Sequence, residues 1–248
     1  MNLSLKTNEL VLSVLSMPSD PSGGTVESIM EQGAFEAKVL HESQHPWYLS
    51  PIKGRQKSNS TNLFGMRHDP LLGELSASSL SEVQNIAIIH RTWGLLGGGE
   101  GYGPNFQYNE YNKASSTLAG MAQILNSKAI GLMLTLAPLR AIAKMILPVP
   151  GQGPDLEKEK NYRVEMEAVA IADTRDNKAT PRAYSRFAYP GGPYHATGAF
   201  LAQGAASLLY VRKLEGGALG GCLTPAFLGM DLIKRIQGVS TEFSTKIL

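Results

Sequence analysis

The sequence predicts an α+β fold: a mixed or antiparallel sheet with helices packed on one face. Two patterns and one total carry this. Over residues 162–172, Val164, Met166, Ala168 and Ala170 alternate with Arg163, Glu165 and Glu167. That is the period-two signature of a half-solvated antiparallel strand. Residues 183–189 (AYSRFAY) supply a partner across the connection TRDNKATP. Other segments repeat their apolar residues at helical spacing. The chain has 248 residues, 43% of them hydrophobic. That is enough for one sizeable core, so residues 1–248 read as a single domain.

In chain order, the apolar run at 10–17 reads as a strand. Gly23-Gly24 form a turn, and Thr25 with Glu27 open a helix over 25–41. Val26, Ile29, Met30 and Phe35 fall on one face of it. Residues 50–81 are rich in Ser, Asn, Gly and Pro and read as a long loop, functional or mobile. Residues 86–96 (IAIIHRTWGLL) fit a strand or a short helix, and GGGEGYGPNFQYNEY after them reads as an aromatic-rich turn. Residues 114–127 and 129–147 form a helical pair, with Pro138 kinking or restarting the second. PVPGQGPDLEKEK reads as a solvated loop. The two strands follow, then a helix over 194–211 and a last helix over 226–236 with Pro225 at its start. The strand at 162–172 offers an edge or a dimer surface, and a homodimer is expected.

Composition excludes several roles. A net charge of +2 gives no case for nucleic acid. Lys53, Arg55 and Lys57 read as a solvated loop. The single cysteine, Cys222, excludes an intrachain disulfide framework and a cysteine-based zinc site. A reducing, cytoplasmic setting is expected, and MNLSLKTNEL lacks the apolar core of a signal peptide. Residues 129–147 are long enough to span a bilayer, but Pro138, Arg140 and Lys144 argue against it. They read as a buried or surface-lying helix able to touch lipid or a greasy ligand.

The glycines invite a nucleotide reading and then refuse it. In LVLSVLSMPSDPSGGTVESIM a strand, a glycine pair and a helix follow one another. Gly23-Gly24-Thr25 lacks the lysine of a P-loop and the spacing of a dinucleotide loop. Gly97-Gly98-Gly99-Glu100-Gly101 and Gly216-Gly217-Ala218-Leu219-Gly220-Gly221 also miss that spacing.

An ordered set of motifs covers residues 10–236: SVLSM…SGGTVES, HRTWGLL…GYGPNFQYNEY, LPVPGQGP, YRVEMEAVAIADT, GGPYHATGAFLAQGAASLL and GGCLTPAFLGMDLIKRI. Together they resemble the saccharopine dehydrogenase-like oxidoreductases, the group that includes trans-acting enoyl reductases of polyketide lipid synthesis. Members of that family begin with a Rossmann domain that holds a nicotinamide. The resemblance here is to the substrate domain only, and Gly23-Gly24 matches a turn inside it. It implies a substrate cleft lined by the segment resembling DPYxxTA, where Tyr194 and Thr197 match. Gly192 stands where an acidic residue is usual, and Gln203 where Glu is frequent.

Five groups of side chains are candidates for chemistry. His90, beside Arg91, is placed to exchange a proton near neutral pH. His195 lies at a helix start, where free N–H groups favour an anionic or carbonyl oxygen; helix capping by His195 and Thr197 is the plainer reading. Tyr108 and Glu110 form an acid/base pair, with Trp93, Tyr102, Phe106 and Tyr111 as aromatic walls for an apolar ligand. His41 and His45 are a metal pair without a third ligand. Cys222 has no adjacent base in the sequence. The catalytic set expected is His90, Arg91, Tyr108, Glu110 and His195. The substrate-binding set is Trp93, Tyr102, Phe106, Tyr194 and Thr197.

The expected function is an enzyme without redox cofactor or metal, on a reductase-derived substrate domain. It isomerises or cyclises an apolar polyketide or terpenoid intermediate of secondary metabolism, a pericyclic closure included. Two alternatives stand beside it. One is an oxidoreductase using NADPH held by a separate domain. The other is a non-catalytic apolar-ligand-binding or dimerising module.

Overall fold

The chain builds its sheet around its first strand. The computed structural model describes residues 5–32, 35–55, 60–174, 180–210 and 220–248. Lys57, most of TRDNKATP, the end of the 194–211 helix and Gly216 to Leu219 lie outside them. β1 (Thr7–Ser16) runs parallel to β4 (Gln107–Lys113) and antiparallel to β5 (Arg163–Ala172). β2 (Met66–Asp69), β3 (Gly73–Ser76), β6 (Arg182–Pro190) and β7 (Glu242–Ile247) complete seven strands in the order β2-β3-β4-β1-β5-β6-β7. The sheet is mixed and open, and the expected α+β class holds.

The helices share one face. Leu10 and Leu12 of β1 and Tyr108 of β4 pack under α3 (Glu82–Leu95) through Ile86 and Trp93. Met66 and Ala114 pack under Ile124 of α4 (Thr117–Thr135). Val164 and Tyr189 pack under Ala196 and Phe200 of α7 (Pro193–Tyr210). By register these strand residues all point the same way. The opposite face holds a second core, in which Val11, Leu72, Leu75, Tyr111 and Val169 are buried, with an ion-pair network beside it. Arg67 donates to both carboxylate oxygens of Glu9 at 2.6 and 2.9 Å, and Asn109 donates to Glu9 at 2.5 Å. The sheet also curls strongly. Arg182 on β6 donates to Asp69 on β2 at 3.2 Å, although four strands separate them. In a flat sheet that span would be roughly 24 Å, so this second core lies inside the curl.

Several expectations need correction. The helix over 25–41 is two helices, α1 (Gly23–Gln32) and α2 (Ala37–Ser43), because Glu36 adopts extended backbone with ψ 140. The segment 50–81 contains the β2–β3 hairpin. The aromatic turn ends in a strand, β4, whose residues 107–111 are all buried. The 86–96 ambiguity resolves as helix α3. The strand at 162–172 is no edge, since β1 and β6 flank it. Pro225 begins a 3-10 turn, Pro225–Leu228, and the last helix, α8 (Gly229–Gln237), starts after it.

Pro138 does restart the chain. Leu136 is extended with ψ 121, and α5 (Ala137–Ile146) leaves α4 at 100°. No single described helix is long and apolar enough to cross a membrane; the bent pair passes only when its two parts are joined.

Tyr184, packed against this second core, predicts an alkaline weakness. Tyr184 donates to Glu167 at 2.6 Å, and burial followed by that hydrogen bond pushes its phenol up to about 12. Unfolded tyrosine ionises near pH 10. The group is raised on folding, so its contribution is whole below about pH 10 and is lost towards 12. Urea midpoints measured across this range should fall for the wild type, and less steeply for Tyr184→Phe.

Candidate functional site

The residues expected around α3 are gathered into a core rather than a cleft. His90 is buried and stacks on Trp47, with ring centroids 3.9 Å apart at 11°. Its Nδ1–H donates to the Pro46 carbonyl at 2.9 Å. Trp93 is buried and donates to the Gly103 carbonyl at 2.7 Å; Phe106 and Tyr102 pack beside it. Arg91 donates to the carbonyls of Leu49 and Cys222, tying two loops to α3.

Glu110 is the centre of a closed network. Ser79 at 2.5 Å and Ser81 at 3.1 Å donate to one oxygen. Asn85 at 2.7 Å and Tyr108 at 2.8 Å donate to the other. The carboxylate is buried and pins the first turn of α3 to β4. Burial, then the Glu110 charge, drives the Tyr108 phenol far above its ordinary value. Tyr108 and Glu110 thus bind each other inside the core, and neither lines the clefts described below.

The start of α7 is built differently. A local capping side chain is missing, because Gly192 precedes Pro193. Glu159, at the end of the short α6 (Leu156–Glu159), fills the place. Its carboxylate accepts the His195 N–H at 2.9 Å. A Cβ on Gly192 would lie 2.6 Å from the Glu159 carboxyl carbon, so that glycine makes room for the cap. The helix dipole favours this anion. The His195 ring shares a 2.8 Å hydrogen bond with the Tyr189 hydroxyl, on the side of α7 that meets the sheet.

Tyr194 turns the other way, towards α1. Its hydroxyl accepts the Ser22 N–H at 2.8 Å and lies 2.9 Å from Thr25 Oγ1. Ser22 Oγ is 3.0 Å from the same Thr25 hydroxyl and accepts the Thr25 N–H, capping α1. Burial raises the Tyr194 phenol, but the Ser22 and Thr25 donors outweigh it and hold the group below its ordinary value. This phenol lines a cleft of about 250 Å³ with Met17, Ser19, Thr25, Pro193 and Thr197.

Thr197 also borders a larger space. A groove of about 850 Å³ runs between α7 and the Pro225–α8 segment. Phe200, Leu201, Gly204 and Leu208 form one wall, and Phe227 and Leu232 the other. Its lining is mostly apolar.

Of the expected site residues, Tyr194 and Thr197 line these clefts. His90, Arg91, Trp93, Tyr102, Phe106, Tyr108 and Glu110 line neither, and His90 and His195 sit in separate clusters. Ser22, Thr25 and the groove residues of α7 other than Thr197 were not anticipated as site residues. The Leu/Gly/Ala stripe of GAFLAQGAASLL carries the signal for the groove. Gly23 packs its Cα onto the loop at Val149, where a Cβ would fall 1.8 Å from the carbonyl oxygen, so its role is close packing. Among the described residues no group of three or more His, Cys, Asp or Glu is arranged to hold a metal ion. His45 instead accepts the Trp47 N–H through Nδ1 at 3.3 Å.

No family model, curated protein or solved structure matches this chain.

Proposed function

We propose that this chain is an isomerase or cyclase that works without a redox cofactor on an apolar, carbonyl-bearing molecule of the polyketide or terpenoid kind. One observation carries the reading: an apolar groove of about 850 Å³ meets the Tyr194 cleft at their shared residue Thr197. A hydrocarbon skeleton buried in the groove is confined to few conformers, which removes much of the entropic barrier to ring closure or bond migration. Its carbonyl, at the mouth, accepts a hydrogen bond from the Tyr194 hydroxyl. Such a bond stabilises the enol or enolate character of the transition state more than the ground state. The lowered pKa strengthens that donor, and Thr25 and Ser22 keep it oriented. The resemblance to the substrate domain of the saccharopine dehydrogenase-like family supports the same segment. A cytoplasmic setting fits the free Cys222.

The test is incubation of the purified chain with polyketide and terpenoid intermediates, following conversion to products of unchanged mass. Tyr194→Phe should bind as the wild type does and turn over about a hundredfold more slowly. Gly204→Leu should abolish binding. A Cβ at Gly204 meets nothing within 4 Å, so the leucine fills the groove without straining α7, and the unfolding temperature should hold or rise. Binding that survives in Gly204→Leu would remove the groove from the proposal. Equal turnover by Tyr194→Phe would remove the phenol and favour a binding module. Titration calorimetry with NADPH separates the remaining alternative, since tight binding would restore the oxidoreductase reading.

A further inference from the structure

We propose that two copies of this chain join through β7, edge to edge and antiparallel, so that their seven-stranded sheets become one continuous sheet. The inference rests on the free edge of that strand and not on the functional reading above.

The backbone decides which groups are free. The Leu248 N–H donates to the Arg182 carbonyl at 2.8 Å, and residues 183–188 pair with 247–242 in unbroken register. Backbone groups alternate sides along an antiparallel strand. Residues 242, 244, 246 and 248 therefore face β6, and Phe243, Thr245 and Ile247 turn their N–H and C=O groups outward. Gln237 confirms this direction, since its side chain reaches the Phe243 carbonyl from α8 at 3.3 Å. The Thr245 and Ile247 groups have no partner among the described residues.

Protein sheets usually shield such an edge with proline, a bulge, an inward charge or a covering helix. This strand, EFSTKI, has no proline and pairs without a bulge, and every one of its residues is exposed. The opposite edge of the sheet, β2, has only four residues and curls back towards β6. A head-to-tail array would have to match these unequal edges. A two-fold pair matches β7 with itself.

The sequence of β7 is self-complementary in that arrangement. Centring the two-fold on Thr245 sets Phe243 against Ile247 of the second copy, twice, on the face that carries the helices. An aromatic residue opposite a β-branched one is a favourable cross-strand pair. Phe243 and Ile247 are both solvent-exposed in the single chain, Ile247 at 87%. On the other face, Glu242 lies diagonal to Lys246 of the second copy, within reach of a salt bridge. Thr245 and Ile247 find backbone partners in this register, the Phe243 carbonyl, already bonded to Gln237, takes a second donor, and no like charges are opposed. A strand that is apolar on one side, charge-paired on the other and matched in length fits a second copy better than an unrelated peptide.

The experiment is sedimentation equilibrium of the full chain, wild type against Thr245→Pro. The Thr245 N–H faces away from β6, so proline there removes an interface donor while leaving the β6–β7 ladder intact. The wild type should dimerise, and Thr245→Pro should weaken association at least about tenfold, the loss of roughly one hydrogen-bonded pair. The unfolding temperature of the variant shows that the chain still folds. A second variant, Ile247→Lys, keeps the backbone and puts a gatekeeper charge on the edge; it should weaken association as well. Oxidation of Thr245→Cys in a Cys222→Ser background should give a disulfide dimer faster than Glu31→Cys on α1. A wild type that stays monomeric overturns the proposal. So does a dimer indifferent to both Thr245→Pro and Ile247→Lys, or cross-linking no faster at Thr245 than at Glu31.

Discussion

Glu110→Ala should destabilise the fold by about 3–4 kcal/mol, lowering the unfolding temperature by roughly 10 °C. The size follows from what is left behind. Four donors, from Ser79, Ser81, Asn85 and Tyr108, converge on this one buried carboxylate. Removing it strands them in a cavity too small to hydrate them all, and each unsatisfied buried group costs about 1–3 kcal/mol before relaxation. Tyr108→Phe removes a single donor and should cost only about 1 kcal/mol. Glu110→Gln keeps the shape but turns an amide N–H₂ towards donors, so it should stand close to the alanine variant. Urea unfolding of the three variants orders them. A Glu110→Ala protein as stable as the wild type would show that the network carries no load.

The second large effect is a reversal of sign between two positions. Glu159→Ala should cost about 2 kcal/mol, because the first turn of α7 loses its acidic cap. Gly192→Asp alone should also destabilise, since its side chain would occupy the space of the Glu159 carboxylate and add a like charge. In the double variant the new aspartate sits at the ordinary capping position with that space vacated. It should therefore be more stable than either single variant. A double-mutant cycle in urea measures the coupling. Simple additivity would mean that Glu159 does not stand in for a local cap. Here the carboxylate that caps α7 arrives from α6.

How much of this was legible in the sequence depended on where each partner lies. β5 and β6 were legible because their apolar residues alternate along the strand. β4 was not: Gln107, Asn109 and Glu110 are polar yet buried, so no hydrophobic period marks the strand. Their partners, among them Glu9 and Ser79, come from distant segments. β2 and β3 have four residues each, too few to show any period. At the candidate site, Tyr194 and Thr197 were legible from the start of α7. Thr25 read only as a helix start, because its contact with Tyr194 joins residues 169 apart. Glu159 hid inside DLEKEK, a charged run with the look of a solvated loop. His90 looked chemical because Trp47, the ring that stacks on it, is remote in sequence.

The position of β1 also sets the order in which the protein can be made. The first strand of the chain is an interior strand, and its neighbours arrive late: Glu9 pairs with Gln107, and Val11 with Val169. On the ribosome, β1 is made before both of its neighbours and waits for β4 and β5 before its two edges are covered. Contacts of such long sequence separation make for slow folding, because large loops must close before any pairing rewards them. A nascent chain of this protein therefore carries an unpaired apolar strand until β4 and β5 follow it. That places its greatest exposure to aggregation, and its greatest use for a chaperone, before β5 has been translated.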